Sequence, residues 1–199
     1  MAAIGVLLFP GAEELDFVGP WEVLTVSSML LENSGGHADE VFTVAERPGE
    51  LRCAKGLRVM PGFTFDRHPH LDVVLVPGGR GTRAEVENQV LVSWLARVAE
   101  ECEWVTSVCT GALLLHEAGP GRGRRLATHR GFEETLEARG DCTVVRDERW
   151  VVDGRVVSSQ GVSAGIDMAL WLTGQLHGVE HARRTQHHIQ YEPAPPYGE

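Results

Sequence analysis

A strand-like run that ends at a cysteine and resumes at once as a helix constrains this chain more than any other stretch. Between Trp104 and Leu115 the sequence reads WVTSVCTGALLL. β-Branched and apolar residues (Val105, Thr106, Val108) precede Cys109, and an apolar run from Ala112 to Leu115 follows Gly111. That order predicts a tight strand-to-helix turn with Cys109 at its apex, the cysteine counterpart of the G-x-S-x-G nucleophile elbow. Ser107 and Gly111 are the small residues that let the chain reverse. A thiol in that position faces the positive end of a helix and unpaired N–H groups, so a lowered thiol pKa is expected. The competing reading is a buried cysteine packed as a small hydrophobe.

An elbow of this kind stands on a parallel sheet. Ile4 to Phe9 (IGVLLF) and Leu71 to Val76 (LDVVLV) are continuous apolar runs, as in strands buried on both faces. A helix is predicted around Pro20 to Leu31, with Pro20 in its first turn, and another over Gln89 to Glu101. Val41 to Ala45 reads as a strand, and Leu51 to Phe65 as two weak β-runs beside the main sheet. After the elbow helix, Gly119-Pro120-Gly121 stops the chain, a short strand from Arg125 to Thr128 ends at His129, and a helix spans Gly131 to Ala138. Cys142 to Arg146, Trp150 to Val152 and Val156 to Ser158 read as strands, the last two joined at the hairpin dipeptide Asp153-Gly154. Helices are predicted over Ser163 to Leu176 and Val179 to Ile189, followed by an extended proline-rich tail from Tyr191 to Tyr197. Strands alternate with helices, the signature of α/β crossovers on a parallel sheet. No repeat or linker divides the 199 residues, so one domain is expected.

Charge narrows the partners. The formal net charge is −10, and the longest basic cluster, Arg122 to Arg125, is interrupted by Gly123, so no nucleic-acid partner is expected. No stretch approaches the roughly 20 apolar residues of a membrane span, and the N-terminus lacks a signal-peptide pattern. A cytoplasmic protein with no membrane partner is the expectation. Cys53, Cys102, Cys109 and Cys142 show no CxxC spacing, which suggests neither a zinc site nor a disulfide framework. His177-Gly178-Val179-Glu180-His181 spells the H-x-x-E-H metal motif, but that motif needs one continuous helix and Gly178 falls where a helix should end. Exposed histidines at a helix junction are expected instead, with His187 and His188 pointing to different sides. Neither a metal nor a cofactor is expected.

Two further features bear on chemistry. Asp16 falls in the loop expected to leave the first strand, at the sheet edge where open α/β folds bind ligands. A helix cap or a solvated loop charge would also account for it. Pro77-Gly78-Gly79-Arg80-Gly81 ends the LDVVLV strand, and its glycines can expose backbone N–H groups to developing negative charge, or serve only as a turn.

The segments LLFPGAEELDFVGPWEVL, VPGGRGT, VTSVCTGALLL, GRRLATH and SAGIDMALWLTGQL, in this order and spacing, resemble the ThiJ/PfpI superfamily and, within it, the isocyanide hydratase branch. The similarity covers nearly the whole chain, including the YEPAPPY tail. It implies a flavodoxin-like α/β three-layer sandwich with a mostly parallel central sheet, a homodimer, and Cys109 as nucleophile in a strained conformation. It also implies that Asp16, in its D-x-x-G-P context, hydrogen-bonds the elbow thiol. The chain departs from the branch at Arg130, where many relatives carry Trp, and at Ser159-Gln160-Gly161-Val162, which enters the late helix.

On that reading Cys109 attacks the carbon of a small isocyanide substrate to form a thioimidate, and water releases an N-substituted formamide. Asp16 is the general acid/base. Gly79 and Thr110 are candidate N–H donors, the Thr110 hydroxyl a further one, and Gly78, His129 and Val162 candidate pocket residues. His129 follows Cys109 by 20 residues, an offset at which many members of the superfamily carry a histidine. It reads as a wall residue as readily as a base. Two alternatives use the same parts: a cysteine-based redox sensor or protective protein, and a ligand-binding regulatory domain, for which no helix-turn-helix module is expected here.

Overall fold

The computed structural model describes residues 1–194 and 196. In chain order its strands are β1 (Ala3–Leu8), β2 (Glu40–Ala45), β3 (Leu51–Arg52), β4 (Arg58–Val59), β5 (Phe63–Thr64), β6 (Val73–Val76), β7 (Trp104–Val108), β8 (Arg124–Leu126), β9 (Cys142–Val144), β10 (Trp150–Asp153) and β11 (Val156–Ser159). The helices are α1 (Glu14–Asn33), α2 (Thr82–Glu85), α3 (Gln89–Glu101), α4 (Gly111–Ala118), α5 (Glu133–Glu137), α6 (Ala164–His177) and α7 (Val179–His188).

Seven strands form the main sheet in the order β10-β11-β7-β6-β1-β2-β5. All pairings are parallel except β10 with β11. The apolar runs of β1, β6 and β7 lie at its centre, where burial on both faces requires them. Helices α1, α6 and α7 pack together over one face, burying Val23, Leu24, Ala169 and Leu172 against Ile4 and Val73. On the other face, α3 and α4 contribute Trp94, Leu95, Leu114 and Leu115 to the larger core. The result is the three-layer α/β sandwich expected of this pattern. Among the described residues, no helix is long and apolar enough to cross a membrane.

Several elements differ from the sequence reading. Helix α1 begins at Glu14, six residues before Pro20, so Asp16 lies in its first turn rather than in a loop. Acidic Glu14 and Asp16 suit the positive end of the helix, and Glu14 accepts the N–H groups of Lys55 and Leu57, anchoring that turn. Strand β5 joins the main sheet beside β2, while β3 and β4 form a small hairpin. Strand β8 pairs with β9 in a separate two-stranded sheet. The helix expected over Gly131 to Ala138 is a 3₁₀ turn (Arg130–Phe132) followed by α5. The tail has no helix or strand from Tyr191 through Ala194, and Pro195 and Tyr197 lie outside the described residues.

The histidine junction is also different. His181 is buried and its Nε2 lies 2.9 Å from Ser27 Oγ, while His177 Nε2 lies 2.6 Å from Asp39 Oδ2. Gly178, at φ 89°, separates the two helices that carry them. The His181 ring is buried and the His177 ring half-buried because α7 packs onto α1 and α6, where they satisfy Ser27 and the buried Asp39.

Candidate active site

The chain leaves the central strands β1, β6 and β7 side by side at their C-terminal ends. From β1 it passes to β2 on one side, whereas β6 returns on the other, which opens a crevice at the C-terminal ends of the strands. Asp16 follows β1, Gly78 and Gly79 follow β6, and Cys109 follows β7.

Cys109 sits at φ 57°, in the left-handed region that a non-glycine residue enters only when its surroundings force it. Its N–H donates to the Ser159 carbonyl at 3.1 Å, and its own carbonyl accepts from Thr128 Oγ1 at 2.9 Å. Gly111 clamps the turn onto β6, since a Cβ there would lie 2.2 Å from the Val76 carbonyl oxygen. The elbow thus follows from chain geometry, and it leaves Cys109 only 5% exposed.

Asp16 is wholly buried. Its Oδ2 accepts the Gly78 N–H at 2.9 Å, while Oδ1 makes no hydrogen bond of normal geometry. The Cys109 thiol is near enough for each group to alter the titration of the other. Gly78 is needed for this approach: a Cβ there would lie 2.4 Å from the Thr110 nitrogen and 2.9 Å from Asp16 Oδ2. Burial pushes the Asp16 carboxyl from 3.8 up to about 7, against the pull of the Gly78 N–H. Glu13 raises it further, and the Cys109 thiol and Lys55 lower it.

Burial also pushes the Cys109 thiol from 9.0 up to about 12, and the Asp16 charge adds to the rise. This reverses the lowered pKa expected of a thiol at a helix N-terminus, because desolvation and a facing carboxylate outweigh the two backbone N–H groups, of Thr110 and Val162, that favour the thiolate. The two side chains thus compete for a single negative charge.

Thr110 caps the arrangement. Its Oγ1 accepts the Gly79 N–H at 2.9 Å and donates to the Gly79 carbonyl at 3.2 Å. The Gly79 N–H is therefore engaged within the protein, and Val162 supplies the second N–H at the sulfur. Val162 is itself held at φ 53°, unusual for a β-branched residue. His129 lies in the pocket wall. Its Nδ1 accepts the Gly131 N–H at 3.0 Å, its ring meets Phe132 edge-on at 6.3 Å, and it packs against Gly161. Among the described residues it makes no hydrogen bond to Cys109.

A cavity of about 220 Å³ opens over the thiol. It is lined by Cys109, Thr110, Gly79, His129 and Val162, and also by Glu13, Lys55, Arg80, Arg83 and Phe132. Among the described residues, no group of three or more His, Cys, Asp or Glu is placed to hold a metal ion.

The DJ-1/PfpI family matches residues 2–175. The chain belongs to that family. It is 36% identical over 194 residues to the isonitrile hydratase of Pseudomonas putida, covering 98% of this chain and 80% of the relative. It is 26% identical to Protein DJ-1alpha of Drosophila melanogaster, over 89% of this chain and 79% of that one. A ThiJ/PfpI family protein from Pseudomonas syringae superimposes with a TM-score of 0.87 at 27% identity, covering 98% of this chain and 77% of that one.

The sequence reading of this DJ-1/PfpI chain missed the rim of its cavity. Arg83 lies on α2, a four-residue helix with no periodicity to announce it. Its guanidinium stacks 4.0 Å above Phe132 and donates to the Gly79 carbonyl at 2.8 Å. Glu13 and Lys55, 42 residues apart, form an ion pair at 2.6 Å. Arg130, at the departure from the branch, is exposed on the 3₁₀ turn and does not line the cavity.

Proposed function

We infer that this chain hydrates an isocyanide to an N-substituted formamide, with Cys109 as nucleophile and Asp16 as the proton carrier. The observation that carries this reading is the buried Cys109–Asp16 pair, a thiol pushed to about 12 beside a carboxyl pushed to about 7. A carboxyl poised near neutrality can both take and return a proton. The likeness to the Pseudomonas putida isonitrile hydratase supports the choice of substrate.

In the first step Asp16 accepts the thiol proton as the sulfur attacks the terminal carbon of R–N≡C. A C–S bond forms, and Asp16 returns the proton to the same carbon, giving the thioimidate R–N=CH–S–Cys109. The N–H groups of Thr110 and Val162 hold the sulfur as charge builds on it. Gly79 fixes the Thr110 hydroxyl, and Gly78 orients Asp16. Asp16 then takes a proton from water, whose oxygen adds to the carbon. Protonation at nitrogen and cleavage of the C–S bond release R–NH–CHO, and the thiol recovers its proton.

Redox sensing fits this site less well. Oxidation-sensing cysteines are accessible and ionised near neutral pH, whereas Cys109 is 5% exposed and its thiol is held protonated. A regulatory domain would bind in the same cavity without turnover.

Incubation with an alkyl isocyanide tests the reading. The wild type should release the N-alkylformamide and Cys109→Ala should release none. Asp16→Asn should be slowed about 100-fold to 10,000-fold, as for loss of a positioned acid or base. No formamide from the wild type, or undiminished formamide from Cys109→Ala, would refute it.

A further inference from the structure

The rim of the cavity is basic on a chain whose formal net charge is −10. Three cationic side chains, Lys55, Arg80 and Arg83, line it against one carboxylate, Glu13. Lys55 is committed to Glu13, with Nζ at 2.6 and 2.8 Å from its two oxygens. The arginines are not neutralised. Arg83 has a carbonyl and an aromatic face as its partners, the Gly79 oxygen at 2.8 Å and the Phe132 ring at 4.0 Å. Arg80 is exposed and forms no ion pair among the described residues. A guanidinium held over an aromatic ring and tied to a carbonyl is oriented in advance, and its remaining N–H groups suit the two oxygens of a carboxylate.

Depth sets the order of contacts. Cys109 and Thr110 are buried at the floor, while Arg80 and Arg83 are exposed at the rim. At about 220 Å³ the cavity is smaller than the roughly 300 Å³ at which drug-sized sites begin. A molecule that fills it spans from thiol to guanidinium with a short skeleton.

We propose that the substrate is a small isocyanide bearing a carboxylate, whose isocyano carbon meets Cys109 while its carboxylate is held by Arg83 and Arg80. This rests on the isocyanide-hydrating reading of the site for the reaction, though not for the charge preference. The two arginines also offset the repulsion an anion would meet from Asp16, and they raise its local concentration at the mouth.

The test compares isocyanoacetate with its neutral methyl ester. In the wild type kcat/KM for the anion should exceed that for the ester by about 10-fold or more, as for a charge-assisted contact. The excess should shrink with added salt. Arg80→Gln/Arg83→Gln should bring the anion-to-ester ratio to one or below. Equal use of both compounds by the wild type, or a ratio unchanged in the double variant, would overturn the proposal.

A second measurement separates this from the hydratase reading. Cys109 alkylation by iodoacetate, relative to neutral iodoacetamide, should be faster than the same ratio for a cysteine in a short unstructured peptide, and the excess should vanish in the double variant. If neither isocyanide turns over yet the iodoacetate excess is present, anion recognition stands and the hydratase reading fails. If both isocyanides turn over and no excess appears in either experiment, the hydratase reading stands and this proposal fails.

Discussion

Replacing Asp16 with Asn should shift stability in favour of the variant as pH rises. The native carboxyl is fully buried and titrates at about 7 rather than 3.8, so the folded protein holds this proton more tightly than the unfolded chain does. The stability this provides is complete below about pH 4 and is lost as pH rises through about 7, above which an ionised carboxylate is held in a site that disfavours it. At about 1.36 kcal/mol for each unit, the penalty grows by roughly 2–3 kcal/mol between pH 5 and pH 8. Asn has the same shape, can still accept the Gly78 N–H, and carries no such penalty. Whatever it changes independently of pH cancels when the two conditions are compared. The Tm gain of Asp16→Asn over wild type should therefore be larger at pH 8 than at pH 5 by about 5–10 °C, given 2–4 °C per kcal/mol for a domain of this size. Thermal unfolding followed by circular dichroism in matched ionic strength measures it. Equal gains at the two pH values, or a smaller gain at pH 8, would show that Asp16 is not a desolvated carboxyl and would remove the basis for its role in proton transfer.

Activity should follow the same titration. Turnover, measured as kcat/KM against pH, should fall as pH drops below about 7, because protonated Asp16 cannot accept the thiol proton. Gly78→Ala places a methyl 2.4 Å from the Thr110 nitrogen, so it should lower stability by about 1–3 kcal/mol and slow turnover about 100-fold by displacing Asp16; unchanged kinetics would contradict the crowding. His129→Ala should slow turnover by less than about 10-fold, since a wall residue costs less than the 100-fold or more of a lost base. Titration of the thiolate absorbance near 240 nm should show Cys109 ionising at lower pH in Asp16→Asn than in wild type, because the Asp16 charge raises it. Equilibrium sedimentation at micromolar concentration should give the mass of a dimer, as the family suggests; a monomer mass would remove that expectation and leave the chemistry as it stands.

The elbow was legible because its parts are local. An apolar β-branched run, a small residue, Cys109, Gly111 and the apolar run of α4 lie within a dozen consecutive positions, and α3 follows from its helical spacing. Asp16 was visible as a residue and misplaced as an element, because Pro20 suggests a helix start and instead lies inside α1. The acidity of the pair was not legible at all. A helix N-terminus argues for a low thiol pKa, and only the packing of α1, α6 and the Gly78 turn reveals that burial wins. Val162 shows the same limit, for a backbone N–H close to the sulfur leaves no trace in residue type. The basic rim was missed because its members come from α2, from the glycine loop after β6 and from a pair 42 residues apart, which only the folded chain brings together.

The most direct test of the central claim is the mass of the protein during a single turnover. With excess enzyme over an alkyl isocyanide and rapid acid quenching, intact-protein mass spectrometry should show a transient species heavier by one isocyanide, located at Cys109 by peptide mapping, that decays at the rate at which formamide appears. Formamide formed with no such species under conditions that would trap it, or an adduct on Cys53, Cys102 or Cys142 instead, would contradict covalent catalysis by Cys109.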